Sequence, residues 1–229
     1  MIVPEEVPVM TLPEATLFPQ ALLPLYVFEP RYRAMLRDAL NTHRLVTVAM
    51  QRPGRVRETP CTVAGLGLIR VSVKHNDGTS HMVLQGLSRV ELAERVRARP
   101  YRVHRMRVLQ SPQVAAVAVK HAETVVLDLT RQCLAAGACA MPFGGTPSPS
   151  AQAAFEKLHP EGFAPEDILH YLKCLNHPET LADFVSVAML RNPLHRQAIL
   201  ETIGVEDRLR MLARFLKEQL GQRPDDSQS

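Results

Sequence analysis

Apolar and polar residues alternate with a period of two through most of the first half of the chain, as they do in half-buried β-strands. Two short apolar runs, Val7–Leu12 and Leu22–Phe28, contain prolines, which are typical of edge strands and strand ends. Pro30–Asn41 carries an apolar stripe at helical spacing and begins with the proline that first turns favour. The pattern predicts further strands at Arg44–Met50, at Cys61–Lys74, from Ser80 onward and at Tyr101–Leu109.

The clearest local signal is the sequence NDGT at Asn76–Thr79, between two runs of β-forming residues. Asp-Gly at this point predicts a tight hairpin, because such a turn needs a positive φ that glycine adopts freely. Gly65 and Gly67 lie inside the first of the two strands. They indicate a bulge or a sharp curvature, as in a small barrel.

From Pro112 onward the apolar period changes to about 3.6, the period of amphipathic helices. The first part of the Gly- and Pro-rich segment that follows, about residues 136–150, is predicted to be a flexible loop. Asn176, with Glu179 three residues later, resembles a capping box at a helix start. The predicted helices are Pro112–Leu134, Pro165–Leu175, Pro178–Leu190, Pro193–Ile203 and Val205–Leu220, and the tail at 222–229 is expected to be disordered.

Composition limits the class of protein. The 229 residues are 46% hydrophobic and carry a net charge of +4, which allows one good core or two small ones and requires no polyanionic partner. No cysteine lies in a CxxC spacing, no basic region precedes an apolar run at the N-terminus, and no apolar run reaches the roughly 18–20 residues that span a bilayer. We therefore expect a soluble cytoplasmic protein with reduced thiols, no metal, no cofactor and no membrane partner.

The run LLPLYVFEPRYRAM at Leu22–Met35 resembles the opening signature of Lon N-terminal domains, and it is closest to the stand-alone kind. Just upstream, Leu17–Pro19 matches the LFP step that joins the first two strands of that family. Later matches follow in the family's order and extend the resemblance over about residues 5–220: Cys61–Gly65, Asp77–Thr79, Gly86–Val90, Leu181–Asp183 and Asp207–Leu209.

The resemblance implies an α+β fold, with an N-terminal PUA-like β-barrel over residues 1–110 and a C-terminal α-helical bundle over residues 111–221. It also implies binding of unfolded or client polypeptides, in a role related to proteolysis and protein quality control and as an adaptor to an ATP-dependent protease. The sequence contains no GxxxxGK(S/T) phosphate-binding motif, and we expect no Ser–Lys peptidase module after residue 220. A non-catalytic protein-binding module, without catalytic residues, is therefore expected.

Five residues of the signature are candidate binding residues: Phe28, Glu29, Arg31, Tyr32 and Arg33. In a packing role, Phe28 and Tyr32 fill the core where strand meets helix, and Glu29 and Arg31 brace the start of the helix. In a binding role, Tyr32 and the arginines form a lip that meets a partner. The sequence leaves both roles open.

Seven arginines lie between Arg89 and Arg107, opposed by only two glutamates of the same stretch. Along a strand, Arg95, Arg97 and Arg99 share one face, where they protect a sheet edge from aggregation. The alternative is a nucleic-acid site, since PUA-like barrels include RNA binders, although the aromatic residues that stack on single strands are scarce here. The candidate polyanion-binding residues are Arg95, Arg97, Arg99, Arg102 and Arg105.

His170 and Cys174 lie four residues apart on a predicted helix, so their side chains can share a face. A metal site would need further ligands, and we expect no metal here. A Cys–His nucleophile pair is a weaker alternative, because the partners of such a pair meet only in space.

Overall fold

A computed structural model describes residues 4–55, 58–112, 116–136 and 165–221 of the chain. Contacts between residues divide these into two compact units, residues 4–110 and residues 111–221. Nearly all of the predicted loop at 136–150, and the whole of the predicted tail at 222–229, lie outside the described residues.

Strands dominate the first unit. They follow the predicted order within one or two residues at most ends, but the strand that begins at Ser80 continues for 18 residues. The elements are β1 (Glu6–Leu12), β2 (Leu22–Val27), α1 (Pro30–Leu40), β3 (Leu45–Met50), β4 (Val63–Lys74), β5 (Ser80–Arg97) and β6 (Arg102–Val108).

The strands form one six-stranded sheet in the order β2-β5-β4-β3-β1-β6. Only the β1–β3 pair is parallel, and β6 pairs with β5 as well as with β1, so the pairing returns to the strand next to β2. Of the two positions that its proline is typical of, an edge strand or a strand end, β1 is not an edge strand, because it lies between β3 and β6, and Pro8 is near its start. Pro8 has no N–H to donate, and it is tolerated there because the pairing of β1 with β3 begins only at Val9. On its other side Pro8 pairs with Val103 of β6.

Apolar side chains form two clusters in this unit. One lies under α1, whose Met35, Leu36 and Ala39 are buried against residues of β1 to β5. The other takes buried residues from β1, β3, β4 and β5, with Met106 of β6 packed against it. Alternate residues of β3 enter different clusters, so this strand is buried along both faces.

The predicted hairpin is confirmed. Gly78 has a φ of +80°, and the carboxylate of Asp77 accepts hydrogen bonds from the backbone N–H and the hydroxyl of Thr79 at 2.9 and 2.6 Å. The predicted irregularity near the glycines is confirmed as well, since the β4–β5 register shifts between Leu66 and Gly67. At Gly65 a Cβ atom would stand 1.9 Å from the carbonyl oxygen of Leu17, so the preceding segment crosses the strand where only glycine fits.

The described part of the second unit is helical. Its elements are α2 (Ala116–Ala135), α3 (Pro165–Cys174), α4 (Pro178–Met189), α5 (Pro193–Glu201) and α6 (Val205–Gly221). Helix α2 packs against α3, α4 and α6, and α6 also packs against α4 and α5. None of the described helices is both long and apolar enough to cross a bilayer.

Helix starts in this unit agree only partly with the sequence signals. The capping box predicted for α4 is wrong, because its N-cap is His177 and no side chain accepts a hydrogen bond there. Asn176 stands one residue too early for that role. The next helix, α5, does have a side-chain cap, since Oδ1 of Asn192 accepts a 2.9 Å hydrogen bond from the N–H of Leu194.

A buried ion pair joins α4 to α6. Arg208 is fully buried and its Nη1 lies 3.4 Å from Oδ1 of Asp183. The same guanidinium donates to the carbonyl oxygens of Thr202 and Ile203 at 3.0 and 2.8 Å, and to the hydroxyl of Ser111 at 3.3 Å. Two of the motifs that carry the family resemblance, Leu181–Asp183 and Asp207–Leu209, are therefore in contact inside this unit.

Candidate functional site

The junction of β2 and α1 is organised around Glu58, a residue that lies in no motif of the sequence. Tyr32 is buried, and its hydroxyl lies 3.0 Å from both Oε1 of Glu58 and the carbonyl oxygen of Thr11, whose N–H donates to it at 3.1 Å. Arg31 pairs with Glu58 and with Glu29, the latter at 2.8 Å. Arg102 of β6 contributes a third cationic contact to this cluster, 3.1 Å from Glu58 Oε1.

This network shifts the acid–base properties of its members. Burial by itself raises the pKa of Glu58, but hydrogen bonds from Arg31 and Tyr32 and the charge of Arg102 together lower it below the usual value. Burial, followed by the negative charge of Glu58, raises the pKa of Tyr32. Glu58 is therefore a carboxylate and Tyr32 a neutral phenol at physiological pH, and both hold α1 against β1 and β6.

The five candidate binding residues of the signature reach three different places. Glu29, Arg31 and Tyr32 belong to the Glu58 network. Phe28 is 59% exposed and stacks against Tyr26, with ring centroids 5.9 Å apart. Arg33 lies over the hairpin turn, where a Cβ atom on Gly78 would collide with its guanidinium.

An exposed apolar face covers one side of strands β2, β5 and β4. Register places Tyr26 opposite His81, which in turn lies opposite Val73, and it places Val71 opposite Val83. Directly paired residues of antiparallel strands point to the same side of the sheet, so these side chains form one surface. We define the apolar face by its exposed members, Leu22, Tyr26, Phe28, Val71 and Val73, which are 44% to 59% exposed.

Aromatic contacts order the centre of the apolar face. The ring of Tyr26 lies between that of Phe28 and that of His81, whose centroid is 4.9 Å away. His81 meets His75 edge to face, and Nδ1 of His81 lies 2.7 Å from Nε2 of His75. Four rings thus run across the hairpin in contact with one another. Such a row is a semi-rigid surface, because each ring limits the rotamers of the next.

The basic segment Arg89–Arg107 does not lie on one strand face. It bends through the β5–β6 connection, which contains the cis peptide bond Arg99–Pro100. Two of its arginines face acids from distant parts of the chain. Arg102 pairs with Glu58, and Arg105 lies 3.9 Å from Glu6. Arg97 stacks over the ring of Tyr101 at 4.4 Å.

A cleft of about 360 Å³ opens beside this segment, and we call it the Arg95 cleft. Its walls are the chain leading into β4, the end of β5 and the start of β6. It is lined by Glu58, Thr59, Pro60, Cys61, Thr62, Leu92, Ala93, Arg95, Arg102 and His104. Arg95 and Arg102 are candidates from the sequence, but only the fold brings them close to His104 and Glu58.

His104 is the buried histidine of the cleft, 8% exposed. Its Nδ1 lies 3.2 Å from the carbonyl oxygen of Ala93, and its Nε2 has no hydrogen-bond partner within the described part of the chain. Burial lowers the pKa of His104, and the charges of Arg95 and Arg102 lower it further. The ring is therefore neutral, with its proton on the nitrogen that faces the carbonyl.

The remaining sequence candidates are simpler. The predicted proximity of His170 and Cys174 is confirmed, with Sγ 3.8 Å from Nε2 on the exposed side of α3. Across the described ranges, no three His, Cys, Asp or Glu side chains are placed to share a metal ion. Three described cysteines, Cys61, Cys133 and Cys174, form no disulfide bond within the described ranges, whereas Cys139 lies outside them.

Comparison with known proteins gives a consistent result. The family model of the ATP-dependent protease La (LON) substrate-binding domain matches residues 6–218. Lon protease of Dictyoglomus thermophilum is 25% identical over 221 residues, and Lon protease of Methylocella silvestris is 26% identical over 208 residues. These matches cover 95% and 89% of the chain, but the chain spans only about a quarter of the length of these relatives.

Solved structures show the same mixed α and β fold. The N-terminal domain of Mycobacterium avium complex Lon protease superposes with a TM-score of 0.67 at 16% identity, covering 93% of this chain and 98% of that one. A Lon N-terminal domain protein from Xanthomonas campestris gives a TM-score of 0.59 at 16% identity, covering 96% and 99%. The matched region is the substrate-binding part of the Lon proteases, separate from their catalytic domains. The chain therefore belongs to the family of Lon substrate-binding domains.

Proposed function

We propose that the chain binds unfolded client polypeptides on its apolar face. The observation that carries this proposal is the cluster of exposed apolar side chains on β2 and β4, together with Phe28, which follows β2 and stacks on Tyr26. Folded proteins seldom leave a contiguous apolar surface without a partner. An unfolded chain offers the apolar side chains that such a surface can cover, and the family's substrate-binding description agrees with that use.

Binding would combine side-chain contacts with limited backbone pairing. Strand β2 ends the strand order of the described sheet, so its outer edge is the place where a client backbone could add as a further strand. Pro24 removes one donor from that strand, which shortens any such pairing. Aromatic side chains then supply most of the affinity and little sequence selectivity, and this suits a binder of many clients.

Several finer features belong to the same proposal. We place the strands in a closed PUA-like barrel, supported by the β5–β6 pairing, and the helices of the second unit in a bundle, supported by the packing of α2 on α6. The chain would act without catalysis, as an adaptor that presents clients to an ATP-dependent protease. The buried cysteines Cys61 and Cys133, which form no disulfide bond within the described residues, support a reducing compartment such as the cytoplasm.

The test is a titration with a permanently unfolded client, such as a reduced and carboxymethylated protein carrying a dye, followed by fluorescence anisotropy. The same protein in its folded state serves as the non-client. We expect saturable binding of the unfolded form with micromolar affinity, because ordering a flexible client opposes the apolar gain. Absence of binding below about 1 mM contradicts the proposal.

Matched variants locate the site. Phe28→Ser removes an aromatic ring that is 59% exposed on the apolar face, and Leu194→Ser removes a side chain that is 51% exposed in the other unit. We expect the first change to weaken client binding by about ten-fold, or roughly 1.4 kcal/mol, and the second to leave it unchanged. Equal effects of the two substitutions would remove the apolar face as the binding surface.

Nucleic-acid binding is the second candidate, and it rests on the five arginines named from the sequence. Arg102 pairs with Glu58 and Arg105 with Glu6, so two of the five already face an acid, which favours the polypeptide client. Salt separates the two candidates. Phosphate binding weakens steeply as salt rises, whereas apolar client binding changes little or strengthens.

A further inference from the structure

The Arg95 cleft is a built site that the apolar face does not explain. Along β5 the pairing with β6 steps from Leu92 to Arg95 while β6 steps only from Met106 to His104, so β5 carries an extra residue at this point. The bulge moves the strands out of regular pairing and opens the cleft. Its opposite wall is fixed to the sheet, because the N–H of Leu92 donates to the carbonyl oxygen of Thr62 at 2.8 Å.

Charge in the cleft favours an anion. Arg95 is exposed at the mouth and makes no ion pair within the described ranges, while Arg102 lies deeper against Glu58. The one carboxylate of the lining, Glu58, already faces Arg31 as well as Arg102. Arg52 stands at the rim, with Nη2 3.0 Å from the hydroxyl of Thr62. Guanidinium groups therefore outnumber the acid, and Arg95 retains its fork of donors for a ligand carboxylate.

The buried histidine adds a second requirement. With its proton directed to Ala93, the neutral ring of His104 offers the lone pair of Nε2 as an acceptor, and that atom lacks a partner among the described residues. Leaving a buried acceptor without a donor is unfavourable, so a ligand that supplies an N–H gains by binding here. Because the ring is almost fully covered, that N–H must enter the cleft rather than lie across its mouth.

Few ligands join a carboxylate, an adjacent N–H donor and an apolar side chain. We propose that the Arg95 cleft binds the carboxyl terminus of a client polypeptide. The terminal carboxylate pairs with Arg95, the last peptide N–H donates to Nε2 of His104, and the last side chain lies against Pro60 and Leu92. A volume of about 360 Å³ is at the small end of ligand pockets and suits a chain end. This inference rests on the client binding proposed above.

The test compares two forms of one apolar, unstructured peptide of about ten residues, dye-labelled at its N-terminus, with a free carboxylate or a carboxamide at its C-terminus. Fluorescence anisotropy should show that the acid binds about ten-fold more tightly than the amide. In Arg95→Gln this preference should fall below about three-fold. Arg105→Gln is the matched control, because Arg105 is an exposed arginine outside the cleft lining, and it should keep the full preference.

A third peptide tests His104. Methylation of the last peptide nitrogen removes the N–H and should weaken the acid form by about ten-fold in the unaltered protein. In His104→Phe the methylated and unmethylated acids should bind equally. Circular dichroism of each variant checks that it is folded, and the peptide modification probes the contact even if His104→Phe does not fold.

Each of the following outcomes contradicts the inference. Equal binding of acid and amide removes chain-end recognition and leaves client binding by the apolar face intact. Binding of the unfolded client without binding of either peptide does the same. Displacement of the acid peptide by free leucine at comparable concentration makes the cleft an amino-acid site. Displacement by inorganic phosphate, together with loss of the acid preference, makes it a phosphate site. Failure of both peptides and of the unfolded client removes the proposed function as well.

Discussion

Replacing Arg208 by Met should lower the free energy of unfolding of the helical unit far more than any surface substitution does. The side chain is fully buried, and it donates to Asp183, to two backbone carbonyl oxygens at the start of α6 and to the hydroxyl of Ser111. Methionine fills similar space but donates nothing. The carboxylate of Asp183, itself 4% exposed, then loses its cationic partner.

The magnitude follows from these contacts. Removing one member of a buried ion pair costs about 3–5 kcal/mol, and each buried carbonyl that loses its donor adds about 1–3 kcal/mol unless water replaces it. For the ion pair and the two carbonyls together we expect a loss of about 5 kcal/mol or more, which is a large part of the roughly 5–15 kcal/mol that stabilises a domain. Urea unfolding followed by far-ultraviolet circular dichroism measures it, because the helices give most of that signal.

Two further variants make the reasoning refutable. Arg210→Met removes an exposed arginine of the same helix that pairs with Glu206 one turn earlier, and it should cost about 0.5 kcal/mol or less. Adding Asp183→Asn to Arg208→Met should restore about 1–3 kcal/mol, because a neutral amide leaves no buried charge behind. If Arg208→Met and Arg210→Met differ by less than about 1 kcal/mol, the buried pair does not stabilise the unit as argued.

Three more predictions concern the first unit. Glu58→Gln should destabilise it by about 1–3 kcal/mol in urea unfolding, because an amide has one acceptor oxygen and no negative charge to pair with two arginines; no change would mean that solvent screens the network. Gly65→Ala should cost about 2 kcal/mol or more, since the new Cβ meets the carbonyl oxygen of Leu17, and a soluble variant of unchanged midpoint would contradict this. Because burial lowers the pKa of His104 in the folded state, the unfolded chain takes up the proton first as pH falls, and stability is lost below the ordinary histidine pKa. Between about pH 7.5 and pH 5.5 the thermal midpoint should therefore fall more in the unaltered protein than in His104→Gln, and equal falls would refute the assignment.

Local signals in the sequence predicted much of the fold. The Asp-Gly turn fixed one hairpin, and prolines marked the first residue of α1, α3, α4 and α5, because their φ angle and missing N–H suit a first turn. What failed depended on neighbours distant in sequence. Pro8 is typical of an edge strand or a strand end, yet β1 lies inside the sheet. The proline fits there because the parallel pairing with β3 begins only after that residue.

The candidate site was predicted less well, and for the same reason. Tyr26 and Val73 are separated by almost fifty residues, and only the register of β2, β5 and β4 makes them neighbours. Glu58 lies outside every helix and strand and within no motif, although it is the one acid close to three arginines of the surrounding sequence. This position, as a lone acid among arginines, was the signal in the sequence that could have selected Glu58. Its partners, Arg31 and Arg102, come from opposite sides of the sequence, so only the fold could identify them.

The pairing of β1 with β6 has a consequence for synthesis on the ribosome. The hairpin of β4 and β5 can form as soon as it emerges, but Glu6 waits for Arg105, about a hundred residues later, before the sheet is complete. During that interval the apolar side chains of β1 lack the last strand that covers them. Until Arg105 has emerged, the growing chain therefore exposes apolar side chains of β1 that the completed sheet buries.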